Sequence, residues 1–490
     1  MKGLFFYLSV YFLLLPVSVC SRCLDVRSFG AHGDGRHIDT PAINRALAAA
    51  ATHQGDTVML SDGIFMCHSI HLQSNVTLLI TPTATICAAL PTDSLSYDPA
   101  EPNSSTFQDF GHSHWHNSLL WGENLHGVRI VGGGLIDGTN VLSRGNGRLN
   151  GRAVANKALA LRECSDVLVD GVRFLNCGHF ALLLTGVDDL HLQNLMIDSN
   201  RDGIDIDCCE RVIIRGCRVN TVNDDAIVLK ASYALGRVKP TADVLIDDCF
   251  VSGYDVGSLL DGTCTSNTLQ APDRDGPTGR IKIGTESNGD FRHVTISHCT
   301  FRHCRGLAVE TVDGARIEGL EVTDIDMSDI CNAPFYIRLG NRQRGPEGLS
   351  SSSVSGVRFA HIRVMDADSR YASMILGLEG HRIEDVTFDD VSIQYRGGIT
   401  LDDVATQRGS NQFFTRQPEY PEPASHGIQP AAWFVVRHAC DIVFQNMHVE
   451  TLQPDERPRL LIEDASGVRL HGVSGLTDAV VTTAGQQTIE

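Results

Sequence analysis

Short runs with apolar side chains at every second position recur along this chain. Residues 167–172, 190–195 and 212–217 each alternate apolar and polar positions, starting 23 and 22 residues apart. A period of two marks a strand with one face buried. The pattern returns at 244–249, 294–299, 357–362 and 386–391, with later copies at 442–447 and 468–473. One coil of this kind is too thin to bury its own apolar side chains, so successive coils must stack, with strands pairing in parallel ~4.8 Å apart. The expected fold is all-β: a single-stranded right-handed parallel β-helix. An immunoglobulin-like sandwich has similar strand density, but its turns fall closer together and its strands do not share this grammar of strand, polar Gly/Asn turn and strand.

Ahead of the repeats, residues 40–50 read as a helix with Asp39 or Thr40 as N-cap and Pro41 in its first turn. It is expected to cap the open N-terminal end of the solenoid. Longer polar stretches at 93–111, 261–279, 340–355 and 408–430 interrupt the coils and are expected to wall a groove. Residues 1–21 have the layout of a secretory signal peptide, which leaves 22–490 as one solenoid domain of a secreted or periplasmic protein. No later apolar run approaches the ~20 residues that span a bilayer.

The chain has 490 residues, and 59 acidic against 40 basic groups give a net charge of −19. That excess argues against a nucleic-acid partner, and a polyanionic substrate would need a locally basic groove. Of the 15 cysteines, Cys208, Cys209, Cys217, Cys249, Cys299 and Cys304 end apolar strand patterns, so thiols stacked inside the coils compete with disulfides as readings. Three histidines around Trp115, at 112, 114 and 116, lack carboxylates or cysteines at matched metal spacing and read as a substrate loop.

Two stretches carry the chemistry. Asn200-Arg201-Asp202-Gly203-Ile204-Asp205 and Asn223-Asp224-Asp225-Ala226 lie one coil apart, with Asp202 and Asp224 separated by 22 residues, so the acids fall on neighbouring rungs. Carboxylates side by side across a sugar groove are the usual means of cutting a glycosidic bond. Each Asp alone reads equally well as a turn residue.

The order Asn-x-Asp-Gly-x-Asp, then Asp-Asp-x-x-x-x-Lys, then Ile283-Gly284-Thr285-Glu286-Ser287 resembles the family 28 glycoside hydrolases, the polygalacturonase and rhamnogalacturonase group. The opening 26–35 and the segment 119–138 resemble that group too. The resemblance implies a pectin-lyase-like β-helix and an inverting hydrolysis. In it Asp224 protonates the departing oxygen, Asp202 and Asp225 activate water, and no metal or other cofactor takes part. Two family motifs are altered. Gly279 stands where a histidine would fall, and Ala308-Val309-Glu310 replaces an Arg-Ile-Lys that grips a galacturonate carboxylate. Arg280-Ile281-Lys282 has those letters but lies about a coil too early to inherit the role.

Candidate substrate contacts are His179, Asp205, Lys230, Lys282, Glu286, Asn288, Glu310, Arg338, Arg342 and Trp115. His179 precedes Asp202 by 23 residues. Arg338 and Arg342 belong to a cationic stretch that also holds Arg344 and is suited to forked hydrogen bonds with a uronate. The expected activity is hydrolysis of α-linked, galacturonate-containing pectic glycans, with exo action fitting the long loops better than endo. A non-catalytic glycan-binding β-helix and a β-helix polysaccharide lyase are the alternatives.

Overall fold

A computed structural model describes residues 21–490 apart from 54, 103–106, 140, 146, 268–275, 349, 408–419, 477, 482–487 and 490. The expected signal segment lies outside these residues except for Ser21. No helix among the described residues is long and apolar enough to cross a membrane.

The architecture is the expected parallel β-helix, and its register is the one implied by the apolar repeats. A single interior column runs Val167, Leu190, Val212, Val244, Val294, Leu320, Val357, Val386 and Ile442, each paired in parallel with the next. All are buried. Leu320 belongs to a coil strand, Arg316–Ile330, that the sequence spacing did not reveal. Its apolar residues are broken by five acidic ones, and its corners are made by Gly319, Asp324 and Asp329 inside one unbroken 15-residue strand. Toward the C-terminus the interior fills with aromatic rings. Phe359 and Phe388 stack at 4.6 Å and Phe388 and Phe444 at 5.5 Å, separations at which rings attract beyond their area burial.

Helix α1, Thr40–Ala50, buries Ile43, Ala46, Leu47 and Ala50 against the first coils, as a cap must. Asp39 sits at its N-cap without capping it; its carboxylate instead accepts hydrogen bonds from the backbone amides of His32 (2.7 Å) and Gly33 (3.0 Å). Every described cysteine is a free thiol. Cys209, Cys217, Cys249 and Cys299 are buried in the stack, their Sγ atoms directed at carbonyls of the preceding coil.

One face of the solenoid carries the site. Its strands, numbered here in chain order, are β1 (Phe180–Thr185), β2 (Ile204–Asp207), β3 (Ile227–Ala231), β4 (Ile281–Ser287), β5 (Leu307–Thr311) and β6 (Phe335–Leu339). Outward-facing columns on this face run Leu183, Asp205, Val228, Lys282, Ala308 and Tyr336. Residues from three of the four long insertions or their immediate flanks reach over it, among them His112, Arg344 and Glu422.

Candidate active site

Asp202 and Asp225 precede β2 and β3, and their backbones are pinned rung to rung. The Gly203 amide donates to the Asp225 carbonyl at 3.1 Å, and the Asn223 amide to the Asn200 carbonyl at 3.0 Å. Gly203 permits this closeness, since a Cβ there would meet the Ala226 carbonyl oxygen at 2.4 Å. The Asp-Gly of the motif is thus a packing requirement. Left-handed turn positions elsewhere are filled by Asp166, Asp189, Asn194, Asp243 and Asp248. None of Asp202, Asp224 and Asp225 has a positive φ, although Asp224 Oδ1 accepts from the Asp225 amide at 3.1 Å as a turn residue would.

The three acids converge. One carboxylate oxygen of each lies within 4.8 Å of the others, at the base of a cleft of about 400 Å³. Asp109, His112, Arg201, Lys230, Glu286 and Glu422 help to line it. Their environments differ. Burial, reinforced by the charges of Asp224, Asp205 and Asp225, raises the Asp202 carboxyl well above its ordinary range. One of its oxygens has no hydrogen-bond partner. Burial also opposes charge on Asp225, but Lys282 and Arg280 outweigh it and hold that carboxyl low. Arg280 Nε donates to Asp225 at 2.9 Å and Lys282 Nζ stands 3.5 Å away. Asp224, with 20 % of its side chain exposed, is paired to Arg201 at 2.5 Å. The cluster therefore favours a proton on Asp202 over one on Asp225, a division of labour suited to acid and base chemistry.

Lys230 knits the floor together. Its ammonium lies 2.5 Å from Asp205, 3.6 Å from Asp202 and 4.0 Å from Glu286, and it meets His112 Nε2. His112 Nδ1 is held by Asp109 at 2.7 Å. The histidine loop thus does reach the site, through His112.

The other candidate contacts are distributed unevenly. Lys230, Lys282 and Glu286 line the cleft. Asp205 is fully buried beneath it as the partner of Lys230. His179 lies stacked on Phe180 at 4.4 Å, with both ring nitrogens buried and unpartnered. Burial and nearby Arg201 and His112 lower it to about 2, so the ring is neutral. Trp115 is not available to stack on a sugar. It is completely buried, donating to Thr185 Oγ1 at 3.0 Å, because the solenoid face needs an apolar cover there. Glu310 is buried without a hydrogen-bond partner and stands 3.5 Å from Lys282; burial raises it to about 7. Arg338, next to it in register, is buried and sits outside the cleft lining. Asn288 is also buried and donates to the Arg344 carbonyl at 3.1 Å. Arg342 is turned to Asp313 at 2.9 Å, leaving Arg344 as the cleft-lining member of that cationic stretch.

Sequence reasoning passed over Asp109, Arg201, Arg280, Arg305, Tyr420 and Glu422. The two arginines at 201 and 280 adjoin the motifs and were legible by position. Tyr420 and Glu422 arrive from nearly two hundred residues downstream, with no local signal. The absent histidine is explained by Gly279. Its φ of +47° and a Cβ position 2.2 Å from the Ser252 carbonyl oxygen exclude a side chain, and Arg280 fills the space beside Asp225 instead. Gly279→Ala is expected to destabilise the protein by about 1–3 kcal/mol, read as a lowered denaturation midpoint.

The family described as "Glycosyl hydrolases family 28" matches residues 103–249, which hold both aspartate motifs, and "Rhamnogalacturonase A/epimerase, pectate lyase-like" matches 23–90. A probable polygalacturonase of Arabidopsis thaliana is 23% identical over 328 residues, a match that spans 65% of this chain and 59% of the relative's length. Among solved structures, an exopolygalacturonase from Thermotoga maritima shares the fold with a TM-score of 0.61 at 21% identity, over 77% of this chain and 88% of the other. A family 28 exopolygalacturonase from Yersinia enterocolitica gives 0.56 at 13% identity, over 96% and 78%.

Proposed function

We propose that this protein is an exported inverting glycoside hydrolase acting on an α-linked, galacturonate-containing pectic glycan, with exo action favoured. The observation that carries the reading is the meeting of Asp202, Asp224 and Asp225 on adjacent rungs at the base of an open cleft. Asp224, the most exposed of the three and beside Arg201, passes the proton that the cluster favours on Asp202 to the leaving oxygen. Asp225, kept ionised by Arg280 and Lys282, draws the proton from water while Asp202 holds that water.

The three acids lie closer together than the ~6.5–9.5 Å usual for an inverting pair. Stereochemistry is therefore the sharpest test. Incubation with polygalacturonan and rhamnogalacturonan is expected to release reducing ends whose first-formed anomer, followed by proton NMR, has the configuration opposite to the cleaved bond. A first product of retained configuration overturns inversion, and no reducing ends from either glycan overturns hydrolysis. A lyase needs a neutral lysine or an arginine as base. Carboxylates around Lys230 and Lys282 hold both amines well above their ordinary range, against the opposing effect of burial, which disfavours that chemistry.

A further inference from the structure

Every cation that lines the cleft already has an acidic partner from the chain itself. His112 pairs with Asp109, Arg201 with Asp224, Lys230 with Asp205, Lys282 with Asp225 and Glu310, Arg305 with Glu422, and Arg344 with Glu286. The most specific of these pairings is made by Glu422. Its Oε1 accepts from Arg280 at 2.5 Å, and its Oε2 accepts from Arg305 at 2.9 Å and lies 3.4 Å from a second Arg280 nitrogen. Both guanidinium groups are buried, and Arg280 simultaneously holds Asp225. Two arginines closing on both oxygens of one carboxylate make the geometry by which a uronate is recognised. Two residues earlier, Tyr420 Oη accepts from Lys282 at 2.7 Å, so the same short strap covers the neighbouring ammonium as well.

We infer that Glu422 is a specificity determinant: it fills the Arg280–Arg305 carboxylate site from within the chain, so that the sugar lodged there beside Asp225 is uncharged. This rests on the proposed glycan cleavage and narrows its substrate. A free uronate brought to this position meets an occupied fork and the repulsion of Glu422 in a water-poor setting. A neutral sugar or a methyl-esterified uronate meets neither. The arrangement also accounts for the Glu310 that replaces a cation one rung further on, since no second positive group is needed where no carboxylate is bound.

The test compares the wild type, Glu422→Gln and Glu422→Ala on de-esterified polygalacturonan, highly methyl-esterified polygalacturonan and rhamnogalacturonan. Calorimetric binding of a galacturonate trimer is measured in parallel. The wild type is expected to show kcat/KM at least about tenfold higher on an uncharged alternative than on the de-esterified chain. The rhamnogalacturonan arm shows whether a neutral sugar or an ester supplies the uncharged group. Glu422→Gln frees the fork and is expected to raise kcat/KM on the de-esterified chain about tenfold, mainly through KM, and to bind the trimer about tenfold more tightly. A wild-type preference for the de-esterified chain, or a folded variant that binds the trimer no better than wild type, overturns the inference. Should no glycan be cut, the hydrolase reading fails while the binding arm still decides the role of Glu422. Should neither variant fold by circular dichroism, the wild-type preference alone decides it.

Discussion

Asp224→Asn is expected to lower kcat/KM by about 10²–10⁴, the contribution of a positioned proton donor, with the fold and glycan affinity kept. Asn retains the shape of the side chain and gives up its ion pair with Arg201, which is partly exposed and contributes little to stability. The pH profile sharpens the test. Lys282 and Arg280 hold Asp225 below the ordinary carboxylate range, so the acid limb of the wild-type bell is displaced to lower pH than an ordinary carboxylate would give. Burial and the neighbouring acids hold Asp202 above that range, so the proton of the cluster is kept to higher pH than an ordinary carboxylate would keep it. Activity is expected to peak on the acid side of neutrality. Residual Asp224→Asn activity within threefold of wild type at that peak would remove Asp224 from the proposed chemistry, and Asp202→Asn would then be the variant that abolishes turnover.

Lys230→Met is expected to cost about 3–5 kcal/mol of stability, because it leaves buried acids without their counter-charge. Asp205 is wholly inaccessible and Asp202 nearly so, and both lean on this one ammonium. The sign with pH is definite. Carboxylates, of which Asp205 contributes most, raise the Lys230 pKa above its unfolded value against the effect of burial. The lysine therefore stabilises fully at every pH below the ordinary ~10.4 and ceases to only as pH climbs through the raised folded value. In the Met variant the deficit is expected to shrink as pH falls and Asp202 takes up a proton. Denaturant midpoints at pH 5 and pH 8 check both points. A variant as stable as wild type at pH 8 would show that the ion network is not what holds β2 and β3 in place.

The interior column from Val167 to Ile442 shows how directly alternation and spacing translate into register. The period of two decides which side chains face inward, and the period near 22 decides which ones stack. The aspartate pairs were legible for the same reason: residues one coil apart become spatial neighbours with no further information. Arg316–Ile330 escaped because its corners at Gly319, Asp324 and Asp329 lie within one continuous strand, with acidic residues between the apolar ones. Trp115 was misplaced because an aromatic beside histidines looks the same in sequence whether it covers the face or lines the groove. Arg338 and Arg342 shared a basic stretch with Arg344, yet strand alternation and the pull of Asp313 sent them elsewhere.

The sequence by itself determined the solenoid, its capping helix and the adjacency of Asp202, Asp224 and Asp225, since all three follow from local periodicity repeated along the chain. Only the tertiary structure decided the electrostatics of the site. Asp109 comes from one insertion with His112 just beyond its end, Arg344 from another, and Tyr420 and Glu422 from a third. Whether a buried charge is paired, and by which residue, depends on distances of a few ångströms between segments whose separation along the chain carries no period. The coil repeat places the acids, and the packing of non-repeating loops sets where their protons sit and which cations are left for a substrate.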